Sequence, residues 1–148
     1  MARIDRSRLE GARFPQVEQV PTRWGDLDMQ GHVNNAAATV ILQEGRVRFN
    51  RAASLPSAVG DLRAMVVGLT VEYAAELHYP EPVEVQTGIV AIGRSSFTVG
   101  QIVRQAGRTA IYAESTMVMA SASGAAPLPD AFRASLEALH VAPVVARG

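Results

Sequence analysis

Residues 23–35, Arg23-Trp24-Gly25-Asp26-Leu27-Asp28-Met29-Gln30-Gly31-His32-Val33-Asn34-Asn35, join a strand end, two carboxylates, a turn and a helix start in thirteen positions. Gly25 to Gly31 is turn chemistry, with two Gly and two Asp in seven residues. Just upstream, Val17 to Trp24 reads as a first strand, with Val17, Val20 and Trp24 as its apolar content. Pro21 confines it to an edge or an early position, because proline cannot donate to a ladder. Downstream, Asn34 and Asn35 are good helix caps, so a helix begins there. Ala38, Ile41 or Leu42, Gly45, Phe49 and Ala52 recur at spacings of three and four, which is one helical stripe. Gly45 costs about 1 kcal/mol against alanine inside a helix. Its place on the apolar stripe predicts that something packs very close to the helix at that point. The helix should stop near Ala53, before Leu55-Pro56.

Beyond that helix the period changes. Arg63 to Tyr73 carries Met65, Val66, Val67, Leu69 and Val71, and Val83, Val85, Thr87 and Ile89 alternate with Glu84, Gln86 and Gly88. Ser96 to Arg104 and Thr109 to Ala120 are two more β-rich runs, joined at Ala106-Gly107 as a tight hairpin. Met117 and Met119 on one face, with Val118 on the other, fit a central strand covered on both sides. Residues 1–15 read as an irregular arm. Residues 121–148 read as a Ser/Ala/Pro linker followed by a short helix from Asp130 to His140. The order is strand, long helix, four consecutive strands and a short helix. Such an order gives an α+β fold, an antiparallel sheet with the helix on one face.

The chain has 148 residues, close to the commonest domain size, and neither a repeat nor a second domain is visible. Fourteen basic and fourteen acidic side chains cancel, so no net field draws it to nucleic acid or anionic lipid. Cysteine is absent, which excludes disulfides, thiolate zinc sites and cysteine nucleophiles. Met1 to Glu18 has no apolar core of the kind a signal peptide needs. The longest apolar run, Ala36 to Leu42, is too short to cross a bilayer. A soluble, cytoplasmic domain is the expectation.

A helix N-terminus presents unpaired N–H groups and partial positive charge. An acyl oxygen placed there is stabilised as negative charge develops on it, and a carboxylate a few residues earlier can reach the same carbonyl carbon. Asp26 and Asp28 can equally be turn or capping residues, the commoner role of Asp in such a turn. On the residues alone both readings stand. His32 is read as a support of the turn, since no second His or acid sits at a metal-ligand spacing. His78 and His140 are read as surface residues. Glu44 precedes Arg48 by four positions and is read as its salt-bridge partner.

The pattern of Arg23, Trp24, Asp26, Asp28 and Gly31-His32-Val33-Asn34-Asn35, followed by a helix ending Glu44-Gly45-Arg46-Val47-Arg48-Phe49, resembles the hotdog-fold thioesterases of the 4-hydroxybenzoyl-CoA thioesterase type. The likeness is specific over residues 23–49 and weaker from 63 to 120, where Gly93-Arg94-Ser95-Ser96-Phe97 sits at the family's Gly/Arg-Ser turn. The resemblance implies a hotdog fold, a five-stranded antiparallel sheet wrapped around one long helix. It implies hydrolysis of an acyl- or aryl-CoA thioester to the free acid and CoA, with neither metal nor cofactor. Residue by residue, it implies that Asp28 is the catalytic carboxylate and Asp26 a structural one. It gives the backbone N–H of Asn35 the task of polarising the carbonyl. Gly31 and His32 would line the substrate site, and Arg94, Ser95 and Ser96 would meet the nucleotide end of CoA. It also implies a homodimer or homotetramer with the site between subunits, so that Arg94 to Ser96 serve the neighbour's Asp28.

Two mechanisms stay open: attack by Asp28 to give a mixed anhydride, and attack by water with Asp28 as general base. Two other functional classes share the scaffold. One is a non-catalytic module binding acyl-CoA or acyl-carrier protein, and the other is a dehydratase, which would need a His on the helix that this chain lacks. One departure from the family concerns the pocket. Ala38 and Ile41 stand where the family often has Tyr, which implies room for a bulkier acyl group than acetyl.

Overall fold

The computed structural model describes residues 3–143. Residues 144–148, the end of the expected C-terminal linker and helix, lie outside the described residues, as do residues 1 and 2. The first strand, β1 (Gln16–Val20), is followed by a short 3₁₀ turn at Trp24–Asp26 and by the long helix α1 (Asn35–Ala52). Then come β2 (Ala58–Val59), β3 (Leu62–Tyr73), β4 (Val83–Ile92), β5 (Ser96–Gln105), β6 (Arg108–Ser121), β7 (Gly124–Ala125) and α2 (Asp130–Ala138). All pairings are antiparallel, in the order β1-β4-β5-β6-β3-β2, with β7 on β6.

The α+β architecture matches the expectation, but the sheet has seven strands rather than five. The two additional strands, β2 and β7, hold two residues each. A two-residue strand has no period to read, and both form only because β3 and β6 already offer an edge. The first strand is also shorter than Val17 to Trp24. It stops at Val20, ahead of Pro21, and Trp24 turns out of the sheet into the 3₁₀ turn, largely exposed against the edge of Tyr79 at 5.9 Å.

Helix α1 lies on the inner face of the sheet. Asn34 caps it, its side chain accepting from the N–H of Ala37 at 2.8 Å. Ala38, Ile41, Leu42, Gly45 and Phe49 are buried as the stripe predicts, while Ala52, in the last turn, is exposed. The close approach at Gly45 is real. A Cβ there would stand 2.5 Å from Val85 Cγ1 and 2.9 Å from Gln101 Nε2. Gln101 is wholly buried and donates to the carbonyl of Leu42 at 3.0 Å, so the sheet hydrogen-bonds directly to the helix backbone.

Over its described residues, 3–15, the arm is irregular apart from a 3₁₀ turn at Arg6–Arg8, but it is not loose. Ile4, Leu9 and Phe14 are buried against Val90, Ile102 and Tyr112 on the outer face of the sheet. Gly88 and Gly100 make room for it: a Cβ on Gly100 would meet Leu9 at 2.8 Å, and one on Gly88 would meet Pro15 at 2.7 Å. The arm carries single apolar residues at no regular spacing, so neither helical nor strand period reveals its packing. The sheet is thus covered by α1 within and by the arm without, which explains why β5 is buried on both faces.

Candidate active site

Pro21 ends β1, and the chain then folds through two successive turns before α1. Asp26 fixes the first. Its carboxylate accepts from the Arg23 N–H at 2.9 Å and from the Arg23 guanidinium at 3.0 and 3.2 Å, and it is only 3% exposed. Its carbonyl accepts from both the backbone and the side-chain amide of Asn34, at 2.9 Å each. Asp26 therefore ties the strand end to the helix cap.

Asp28 fixes the second turn. The Gly31 N–H closes on the Asp28 carbonyl at 3.1 Å, and Gly31 takes φ +81°, a left-handed conformation that glycine adopts without strain. Oδ1 of Asp28 accepts from the N–H groups of Gln30 at 2.9 Å and His32 at 3.3 Å. Among the described residues Oδ2 accepts no hydrogen bond. The side chain is exposed, at the mouth of a cleft of about 360 Å³. One oxygen holds the turn, and the other is left without a partner among the described residues.

The opposite wall of that cleft is the start of α1. Asn35 is the first helical residue, and Ala37 and Ala38 donate to Asn34. The N–H groups of Asn35 and Ala36 have no acceptor among the described residues. Asp28, Asn35, Ala38, His32 and Val33 line the same cleft with Leu77 and Ile111. A carboxylate, the first residue of the helix and an apolar floor thus border one space. That space suits an acyl carbonyl bearing an apolar group.

His32 is half-buried beside the turn. Its Nε2 lies 3.2 Å from a carboxylate oxygen of Glu76, and its ring meets that of His78 edge-on at 5.3 Å. His78, read from sequence as a surface residue, is exposed but belongs to this small cluster. Sequence reasoning missed Glu76 and Tyr73, which also line the cleft. The signal was faint: Tyr73-Ala74-Ala75-Glu76 is where the alternation of β3 breaks off. Among the described residues no group of three His, Cys, Asp or Glu side chains is placed to hold a metal ion.

Arg94, Ser95 and Ser96 are not in this cleft. Arg94 and Ser95 form the turn between β4 and β5 and Ser96 opens β5, the turn being pinned by the N–H of Met119 on the Ser95 carbonyl (2.9 Å) and of Leu128 on the Arg94 carbonyl (2.9 Å). The Asp28 turn lies at the Val83 end of β4 and this turn at the Ile92 end. A ten-residue strand separates them by roughly 30 Å. Within one chain, then, the two halves of the expected site stand apart.

Over residues 22–136 the sequence matches the thioesterase-like superfamily. No curated protein matches it. Among solved structures, a thioesterase from Thermus thermophilus, complexed with coenzyme A and Zn, is 31% identical, with a TM-score of 0.76. That alignment covers 88% of this chain and 96% of the other. A predicted thioesterase from Bacillus stearothermophilus is 25% identical over 86% of this chain and 97% of its own, at a TM-score of 0.77. A 1,4-dihydroxy-2-naphthoyl-CoA thioesterase from Synechocystis shares the fold, with 18% identity, 83% and 96% coverage and a TM-score of 0.75. No described helix is long and apolar enough to cross a membrane.

Proposed function

The chain belongs to the thioesterase-like superfamily, and from that premise we propose that it hydrolyses an acyl- or aryl-CoA thioester with Asp28 as the catalytic carboxylate. The observation that carries this reading is the shared cleft: Asp28, whose Oδ2 accepts no hydrogen bond among the described residues, and Asn35, whose N–H has no acceptor among them, line one space. The thioester oxygen would sit at that N–H, where the helix dipole offsets the charge that develops on it. On one route Oδ2 attacks the carbonyl carbon, the C–S bond breaks, CoA leaves as thiolate, and water hydrolyses the mixed anhydride. On the other, Oδ2 takes a proton from the water that attacks. A single turnover in H₂¹⁸O separates the two: the anhydride route can place ¹⁸O in Asp28, while the general-base route places it only in the acid released.

One observation favours a second reading. Oδ1 of Asp28 braces its turn, as a purely structural aspartate would. On that reading the protein binds acyl-CoA or acyl-carrier protein without turnover. Free-thiol release from a series of acyl- and aryl-CoA esters decides between them, and no release from any ester sinks the hydrolase.

The active unit is further proposed to be at least a homodimer joined along β3. β2 pairs with Leu62 and Arg63, and the Ala64 N–H donates to the Ser57 carbonyl, so the edge is open beyond Ala64. Val66, Val67, Leu69 and Tyr73 are exposed along it, and Val40 and Val47 are exposed on α1. An open apolar edge is an aggregation hazard unless another strand covers it. Antiparallel pairing of two β3 strands sets the Arg94–Ser96 end of one chain beside the Asp28 end of the other, which supports a site completed across the pair.

A further inference from the structure

Along the second half of α1, a groove of about 430 Å³ opens between the helix and the inner face of the sheet. Leu55, Val66, Phe97, Val99, Met117 and Phe132 give it apolar walls. Among the described residues no acidic side chain lines it, and its one charge is Arg46. The Arg46 guanidinium donates to Oε1 of Gln101 at 3.3 Å and forms no salt bridge among the described residues. Gln101 is wholly buried and fixed in that orientation, since its Nε2 donates to the Leu42 carbonyl and to Thr87 Oγ1. Arg48, two residues on, differs: it pairs with Glu44 at 2.7 Å and Glu18 at 3.6 Å.

The groove reaches Ala64 and Val66 of β3, whereas Tyr73, at the other end of that strand, lines the Asp28 cleft. In the dimer proposed above, antiparallel pairing of two β3 strands lays the Tyr73 end of one chain against the Ala64 and Val66 end of the other. The groove then continues the cleft of the partner's Asp28 and receives the far end of the acyl group attacked there.

Burial pushes the Arg46 pKa down, yet an arginine keeps its charge in proteins. A cation part-buried among apolar side chains is costly unless an anion meets it. A hydrocarbon tail laid beside Arg46 would leave that cost in place, and a hydroxyl would offset it with a dipole alone. A carboxylate brings a full charge, and the guanidinium fork suits it with parallel N–H donors.

We propose that the acyl group carries a carboxylate at its far end. The substrate is the CoA monothioester of a dicarboxylic acid, and Arg46 is the residue that selects it. This rests on the hydrolysis and the dimer proposed above. In the reaction the C–S bond breaks, water supplies OH to the acyl carbon and a proton to the sulfur, and a dicarboxylate leaves with CoA.

The test pairs each CoA monothioester of a linear dicarboxylic acid, from succinyl to sebacyl, with the unsubstituted acyl-CoA of equal length. Because the span from the partner's Asp28 to Arg46 is fixed, the kcat/KM ratio should peak at one chain length, at about tenfold or more in favour of the diacid. Arg46→Gln should bring that ratio to about one, Arg46→Lys should keep part of it, and Arg46→Met should reverse it. Calorimetric binding of the same pairs to Asp28→Asn should show the same preference in Kd. That readout decides the acyl preference even if no ester is hydrolysed, an outcome that sinks the hydrolase alone. Should Arg46→Gln not fold, the wild-type ratio and Arg46→Lys still decide. A ratio near one at every length in the wild type, or a preference that Arg46→Gln retains, overturns the proposal. So does an Arg46→Gln chain found monomeric by light scattering when the wild type shows no diacid preference, since Arg46 then serves the subunit contact.

Discussion

Asp26 and Asp28 stand two residues apart in adjoining turns and live in opposite environments. Asp26 is buried beneath Arg23 with its carboxylate fully engaged, while Asp28 is exposed and spends a single oxygen on its turn. Because an asparagine still offers an oxygen to Gln30 and His32, Asp28→Asn should keep the fold and lower kcat by about 100-fold or more. Asp26→Asn breaks a buried, charge-assisted network and should cost about 1–3 kcal/mol of stability while largely sparing kcat. Thermal melts and thiol-release kinetics on both variants check this. The reverse pattern would move the catalytic role to Asp26.

Ala38 is buried in the floor of the Asp28 cleft, beside Leu77 and Ile111. With no ring there, the cleft should favour medium-chain or aromatic acyl groups over acetyl. Each extra buried methylene is worth roughly 0.8 kcal/mol, so kcat/KM should rise several-fold per carbon until the space is filled. Ala38→Tyr should reverse the trend while sparing short substrates. An acetyl-CoA optimum in the wild type, or equal slowing at every chain length, would defeat this account of the pocket.

The β3 edge should hold two chains together. Val67 lies at the bulge of β3 and is exposed. Val67→Lys places a charge on the edge, as natural edge strands do to stay single. Light scattering at micromolar concentration should find the wild type dimeric or larger and this variant monomeric, with activity lost alongside. A fully active monomeric wild type contradicts the shared site.

Acid should release the N-terminal arm. The Ile4 N–H, at 2.7 Å, and the Arg6 guanidinium hold the Glu72 carboxyl below the usual carboxylate range. A carboxylate depressed in the folded state contributes stability above its unfolded pKa, about 4.3 for Glu, and loses it as pH falls through the folded value. Hydrogen exchange at Ile4 and Leu9 should therefore accelerate below about pH 4 relative to the strands. Glu72→Gln should show loosened exchange there already at neutral pH, with little further change on acidification. Uniform protection of the arm down to pH 3 argues against this role for Glu72.

Gly45 shows what a sequence pattern can and cannot say. A glycine on the apolar stripe of a helix announces a close neighbour, and the neighbours proved to be Val85 and Gln101. Gly45→Ala gains about 1 kcal/mol of helix propensity, but overpacking costs about 1–3 kcal/mol. Urea melts should show net destabilisation. A more stable variant would mean that Val85 yields easily.

The helix, the long strands and the Ala106-Gly107 hairpin were legible because each repeats a period or a turn signature over several residues. Both turn residues take positive φ, 51° and 74°, as such hairpins require. Contacts between distant segments were not legible. Glu76 and His78 meet His32 across more than forty residues of chain, and no local spacing encodes that. Nor could spacing show that Arg94 to Ser96 stand at the far end of the sheet from Asp28, because motif order says nothing about which strand end a turn occupies.

The arm and the last described residues also meet. Arg13 bridges Ala142 by backbone hydrogen bonds of 2.7 and 3.1 Å, and Val141 bonds to Ile89. The region shared with the superfamily, residues 22–136, is therefore smaller than the unit that folds. Trimming an expression fragment to those limits would remove β1 and strip Ile4, Leu9, Phe14 and Val141 from the outside of the sheet. Val90, Ile102 and Tyr112 would be left as a bare greasy strip. A workable fragment has to begin before Ile4 and run past Ala142, because this fold is fastened at its two ends.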